Sequence, residues 1–167
     1  MKLCGIFIIM ILCIVLTGKK AASYKIRTNE LNLVVLMLDY FESQIRYRAI
    51  PTSSIIEELS RQNTFSELQL IADCAAMTSK GIAFPEAFEY CSLNSKGAFV
   101  SEERELLASF GRAIGQGDIE SDIKHCKYHS TQFLQLLKEA REQEKVKFRM
   151  ITRLGILGAA AIFILLI

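Results

Sequence analysis

The sequence predicts an all-α protein, an antiparallel bundle of about six helices between two membrane-spanning helices. Three observations carry this reading. Apolar residues recur at three- and four-residue steps through the whole middle of the chain. No segment alternates with a period of two, and neither Asn-Gly nor Asp-Gly occurs to turn a hairpin. The runs Leu3–Gly18 and Leu154–Ile167 contain no charged residue. The expected division is 1–18 as the first span, 19–149 as a cytoplasmic bundle and 150–167 as the second span.

The first run holds 16 uncharged residues. As a helix it reaches roughly 24 Å, slightly short of a ~30 Å hydrocarbon core, and Lys2 and Lys19 can snorkel to close the gap. A cleaved signal peptide fits less well, because Lys19 and Lys20 separate the apolar run from the small residues Ala21-Ala22-Ser23. The second run, taken from Met150, holds 18 residues and reaches roughly 27 Å. Gly155 and Ala159, with Gly158 beside them, make a small-residue notch of the kind that lets a second helix approach in lipid. Lys19, Lys20, Lys25 and Arg27 follow the first run; Lys145, Lys147, Arg149 and Arg153 precede the second. This bias places the middle domain in the cytoplasm and both termini outside.

The helices of the middle domain follow in order. Leu31, Val34, Val35, Leu38, Phe41, Ile45 and Ala49 form one stripe, which Pro51 stops. Thr52 or Ser53 caps a short helix carrying Ile55, Ile56 and Leu59. Thr64-Phe-Ser-Glu67 reads as a capping box for a helix with Leu68, Ile71, Ala72 and Ala75, ended by Lys80-Gly81. Pro85 suits a first turn before Ala87, Phe88 and Cys91, and Gly97 ends that helix. Ser101 caps the next, with Glu102, Glu103 and Glu105 in its first turns and Leu106, Leu107, Phe110 and Ile114 as its stripe. Gly115-Gln-Gly117 breaks the chain and Asp118 caps the last helix. There Ile119, Ile123, Cys126, Ser130, Phe133, Leu137 and Ala140 keep heptad spacing. Helical i,i+4 pairs such as Glu139–Gln143 and Arg141–Lys145 fall on its charged stretch.

Composition narrows function. With 51% apolar and 23% charged residues and a mean hydropathy of +0.26, the 167-residue chain is neither a disordered tail nor a disulfide miniprotein. A net charge of +2 gives no reason to expect nucleic acid as a partner. Nucleophile elbows, P-loops, dinucleotide fingerprints and HExxH are absent. Gly111-Arg-Ala-Ile-Gly115-Gln-Gly117 lacks the preceding strand and the lysine of a phosphate cradle. Cys74, Cys91 and Cys126 fall on apolar stripes and read as core residues. Glu42 lies near the middle of the first stripe and needs a partner, which Arg46 or Tyr47 nearby, or a residue on another helix, could supply. Asp122, His125 and His129 offer an alternative, a membrane-bound metal-dependent enzyme, since His125 and His129 stand one turn apart. Cys126 points about 100° away from His125, however, and no third histidine exists. The expectation is a non-enzyme with no cofactor and no small-molecule substrate. Its docking charge is Glu102, Glu103, Glu105, Asp118, Glu120 and Asp122 near the Gly115–Gly117 corner.

Phe41-Glu-Ser-Gln-Ile-Arg-Tyr47, Pro51, Phe110-Gly-Arg-Ala-Ile-Gly115-Gln-Gly-Asp118, Ala140, Lys145, Lys147 and the closing Leu154-Gly155…Gly158 run resemble, over essentially the whole chain, the stage III sporulation protein AB family of endospore-forming bacteria. Gln44 stands for a family Glu, Thr52 for a Leu, Phe110 and Ile114 for two Leu, and Asp122 for a Gln. The resemblance implies a subunit of the sporulation channel in the mother-cell membrane facing the forespore. Its cytoplasmic domain would be similar to the platform proteins of type II secretion and type IV pilus systems. The implied partners are the channel's ATPase, its multispan membrane subunits and its ring subunits, with membrane lipid at both ends.

Overall fold

The computed structural model describes residues 2–48 and 50–166, with side chains described for 23–48, 50–147 and 149–150. The described residues form α1 (Lys2–Arg48), α2 (Thr52–Ser60), a 3-10 turn (Asn63–Phe65), α3 (Gln69–Thr78), α4 (Phe84–Leu93), α5 (Ser101–Ala113) and α6 (Ile119–Leu166), with no strand among them. The all-helical class is therefore as expected. The runs 3–18 and 154–167, on which the two expected spans rest, have their side chains outside the described set. Among the described residues no helix is long and apolar enough to cross a membrane. The chain divides into two compact units, one of Asn29–Leu137 and one of Met1–Thr28 with Lys138–Ile167.

In the Asn29–Leu137 unit the expected stripe of α1 is the spine of the core. Leu31, Val34, Leu38 and Phe41 are fully buried. The helix aligns with α6 through two polar contacts. Ser130 Oγ donates to Asp39 Oδ1 at 2.9 Å, and Lys127 Nζ lies 3.9 Å from Glu42 Oε1. Three residues forward on α1 match three residues back on α6, so the pair is antiparallel. Glu42 also takes the partner its position called for, since Arg46 Nη2 donates to it at 2.5 Å. The four helices that separate them in sequence, α2, α3, α4 and α5, pack as successive neighbours.

Four phenylalanines from three helices form the centre. Phe41 of α1 meets Phe84 at 5.7 Å between centroids and Phe110 of α5 edge-on at 5.6 Å. Phe88 of α4 stands 5.3 Å from Phe84 and 5.7 Å from Phe110. Such tilted and edge-on pairs add ~0.5–1.5 kcal/mol each to the burial of their area. Gly111 sets the α4–α5 approach. A Cβ there would stand 2.7 Å from Phe88 Cδ1 and 3.1 Å from Phe88 Cβ.

Several helix starts differ from the sequence expectation. Neither Thr52 nor Ser53 caps α2; Pro51 precedes it without a side-chain hydrogen bond, and its carbonyl accepts from Ser54 and Ile55. The Thr64–Glu67 capping box does not form, because Thr64 sits in the 3-10 turn and α3 begins at Gln69. Burial decides this. Phe65 and Leu68 both turn into the core, and Glu67 accepts a short hydrogen bond from Asn29 Nδ2 of α1. The buried face of α3 is Leu70, Ile71 and Cys74, while Ala72 faces solvent and Ala75 is half-buried. At its end Gly81 takes φ +89, as a C-terminal stop requires. Helix α4 ends at Leu93, with Asn94 Nδ2 donating to the Tyr90 carbonyl at 2.8 Å, and Gly97 lies beyond that end. On α6, Ile119 is half exposed while Cys126, Ser130, Phe133 and Leu137 are buried as the heptad predicted.

In the second unit Arg27 Nη1 of α1 donates to Gln143 Oε1 of α6 at 3.2 Å, and Ala140 is buried. The i,i+4 reading of Gln143 is thus supplemented by a bond between helices.

Gly111→Val is expected to destabilise the protein by at least about 2 kcal/mol, because Phe88 can yield only by moving the aromatic centre. A fall of roughly 4–8 °C in Tm, followed by circular dichroism, is the measurement that checks it.

Candidate functional site

Three groups of polar residues stand out in the Asn29–Leu137 unit. The first is the corner between α5 and α6. Ile114 closes α5 through a 3.0 Å bond from its N–H to the Phe110 carbonyl, and Gly115 follows with φ +76. The Gly115 N–H donates to Asp122 Oδ1 at 2.9 Å. Asp118 caps α6 as predicted, its Oδ1 accepting from the Ser121 N–H at 2.8 Å. Beside this corner a cleft of about 320 Å³ opens between Ile45, Ile50, Pro51, Thr52 and Ile119. Its walls are mainly apolar, and Asp122 closes one side.

The second group holds the loop between α4 and α5. Ser101 is the first helical residue and does not cap; Val100 occupies the cap position. Its N–H is satisfied by Glu103 Oε2 at 2.9 Å, which is the return half of a capping box. Glu30 of α1 supplies the other fastening, its Oε2 accepting from the Ala98 N–H at 2.7 Å. Gly97 is required here because a Cβ would lie 2.7 Å from both Glu30 carboxylate oxygens. Burial raises the Glu30 pKa above the ordinary carboxylate value; the Ala98 N–H opposes this, Glu103 adds to it and Arg104 opposes it.

The third group joins α5 to α6. His129 is 4% exposed. Its Nδ1 faces the His125 carbonyl at 2.9 Å, and a carbonyl only accepts, so Nδ1 carries the hydrogen. Its Nε2 lies 3.1 Å from Ser109 Oγ, and that hydroxyl also reaches the Leu106 carbonyl at 2.7 Å. The imidazole stands edge-on to Phe110, with centroids 5.5 Å apart. Desolvation lowers the His129 pKa; the bond to the His125 carbonyl opposes the shift and the charge of His125 reinforces it.

These placements correct the sequence reading of both acids and histidines. Glu103 is fully buried and Asp122 nearly so, so neither is docking charge. Glu102, Glu105, Asp118 and Glu120 remain on the surface, and Glu120 pairs with Lys124 at 3.0 Å. Asp122, His125 and His129 do not converge. Asp122 is committed to the Gly115 amide, and His129 has one ring nitrogen on the His125 carbonyl of its own helix and the other on Ser109 of α5. Among the described residues no three His, Cys, Asp or Glu side chains are grouped to hold a metal ion. Cys74, Cys91 and Cys126 are buried free thiols, as their stripe positions implied. Desolvation raises all three pKa values, to about 11 for Cys91 and about 12 for Cys126, which keeps them protonated and poorly nucleophilic.

Sequence reasoning missed Glu30, Glu103 and the burial of His129. Only Glu103 carried a local signal, its position three residues after Val100. The Glu30–Ala98 bond spans 68 residues of sequence.

Two outcomes follow from the shifted groups. Protonation of His129 is favoured in the unfolded chain, so its contribution is present above about pH 6.5 and is lost as pH falls through its lowered folded value. His129→Gln is expected to cost roughly 1–3 kcal/mol at pH 7.5, with a difference from the parent that narrows by pH 5, as urea titrations at the two values would show. Glu30 has the opposite sign. Its raised pKa gives stability that is full below about 4.5 and is lost as pH rises through the folded value. Glu30→Gln keeps an acceptor for Ala98 and is expected to melt above the parent at pH 8 but level with it near pH 4.

The family model described as stage III sporulation protein AB matches residues 2–167. Neither curated proteins nor solved structures give a significant match. The match spans nearly the whole chain, including both apolar runs and every element described above, and the chain belongs to the stage III sporulation protein AB family.

Proposed function

We propose that this sporulation protein is a membrane-anchored scaffold subunit of the channel complex between mother cell and forespore, required for spore formation. Two spans hold the helical body on the cytoplasmic face of the mother-cell membrane. There it couples a cytoplasmic ATPase to the membrane and ring subunits of the channel.

One observation carries the reading. The first and last helices of the core each continue unbroken into a charge-free run, α1 over 47 residues and α6 over 48. The Arg27–Gln143 bond sets their register in the unit they share. Counting nine residues back along α1 reaches Gly18, the last residue of the first run; nine forward along α6 reaches Thr152, two before the second run begins. Two helices that enter apolar sequence at one level match a single planar boundary, and a helix satisfies its own backbone inside it. The basic residues on the polar side of both boundaries favour a cytoplasmic body.

The scaffold role is supported by what the polar groups do. The buried carboxylates and His129 fasten loops and helices to one another, which stiffens the body. Stiffness is what force transmission from an ATPase requires. The exposed acids Glu102, Glu105 and Glu120 and the cleft beside Ile119 are the docking surface.

The test is the intact protein in sporulating cells. Protease added outside is expected to leave the body whole, and chemical crosslinking is expected to capture the ATPase. Reversing Glu102, Glu105 and Glu120 to Lys, with Glu103 and Asp122 untouched, should cut that capture about tenfold and lower spore yield. Degradation of the body from outside would overturn the topology; undiminished capture would remove these acids from the docking surface.

A further inference from the structure

Charge is segregated along this chain to a degree the net value of +2 conceals. Residues 30–144 contain eleven Lys and Arg against eighteen Asp and Glu. Residues 1–29 and 145–167 contain nine Lys and Arg and no acid at all. Eight of those nine, Lys19, Lys20, Lys25, Arg27, Lys145, Lys147, Arg149 and Arg153, fall within about ten residues of an apolar run on the side facing the middle of the sequence. Of the side chains described there, Lys25, Lys145, Lys147 and Arg149 are exposed. Large apolar side chains are exposed among them, Ile26 at 53%, Val146 at 61% and Met150 at 47%.

We infer that this basic collar binds the anionic headgroups of phospholipids in the cytoplasmic leaflet. The inference rests on the membrane-anchored reading above and adds to it a lipid preference. Cations interleaved with exposed apolar side chains suit an interface where headgroup phosphates lie beside acyl chains, whereas a nucleic acid offers no apolar layer for Ile26, Val146 and Met150. Each Lys or Arg near an anionic membrane surface strengthens association by about fivefold, and the effect decays within a Debye length. Counted along either helix at about 1.5 Å per residue, the collar reaches about 14 Å from the boundary, well inside a Debye length of about 30 Å at 0.01 M salt and past one of about 8 Å at physiological salt.

The experiment uses the full chain, purified in a neutral detergent, with phosphatidylglycerol and phosphatidylcholine added at equal concentration and retained lipid counted by native mass spectrometry. The parent is expected to retain phosphatidylglycerol at least tenfold over phosphatidylcholine at low salt, with the preference shrinking at high salt. The fourfold variant Lys25→Gln, Lys145→Gln, Lys147→Gln, Arg149→Gln should fall below threefold while keeping the helical circular dichroism of the parent. Equal retention of both lipids by the parent, or an unchanged preference in the variant, overturns the inference. So does full displacement of phosphatidylglycerol by 10 mM inorganic phosphate or by a short DNA duplex, which would make the collar a site for soluble anions or for nucleic acid. Flotation with phosphatidylcholine vesicles separates the two readings. A parent that floats but shows no lipid preference retains its anchors and loses the collar, whereas a parent that does not float loses the anchors themselves.

Discussion

The edge-on packing of Phe41 against Phe110, 5.6 Å between centroids, is the contact on which the other helices depend. Helices α2 to α5 run for only 9, 10, 10 and 13 residues, lengths at which an isolated helix is marginal in water. They persist because each buries a face against the aromatic centre or against a neighbour that does. Phe84 and Phe88 bring α4 into the cluster, Gly111 lets α5 come close, and His129 brings α6 in against Phe110. Loss of one ring would leave a cavity whose lining comes from several helices, with no single element able to collapse into it.

The fold was legible where one residue's neighbours in sequence decide its fate. The α1 stripe, the Gly81 stop, the Asp118 cap and the Glu42–Arg46 pair all lie within a turn or two of what specifies them. Legibility failed where a local signal competed with burial. Thr64 to Glu67 spells a capping box, yet Phe65 and Leu68 are worth more in the core than two capped amides at the surface. The same competition moved the α5 cap from Ser101 to Val100, since Glu103 could serve the chain better from inside. Of the seven α6 positions that heptad spacing assigns to the core, Cys126, Ser130, Phe133 and Leu137 are buried in the Asn29–Leu137 unit, but the spacing could not show that Asp122 and His129 line the same seam. Their partners, Gly115 and Ser109, are on the other side of a turn or on another helix.

The candidate site was less legible than the fold for a related reason. An acid in a first helical turn reads as surface charge complementing the helix dipole, and Glu102 and Glu105 do fit that description. Glu103 sits between them with the same local pattern and the opposite role. A histidine pair at i,i+4 reads as a metal chelate, but the carbonyl of the first residue is as close to the second imidazole as its side chain would be. Which group the ring selects is settled by α5, through Ser109. In both cases the chemistry is specified by what packs across, and a single sequence does not record that.

Buried polar groups in this protein have a common logic that bears on its role. Glu30 holds the Ala98 amide, Glu103 the Val100 amide and Asp122 the Gly115 amide, so the two loops bounding α5 are fastened by carboxylates rather than left to solvent. Each fastening carries a desolvation cost, and for Glu30 that cost is visible as a raised pKa. The three carboxylates are dispersed, one at each fastening, and the cleft beside Ile119 is lined by Asp122, already engaged with the Gly115 amide. The stabilisation gained is local: each carboxylate holds one backbone amide of a loop that solvent would otherwise share, and so fixes where α5 starts and where α6 begins.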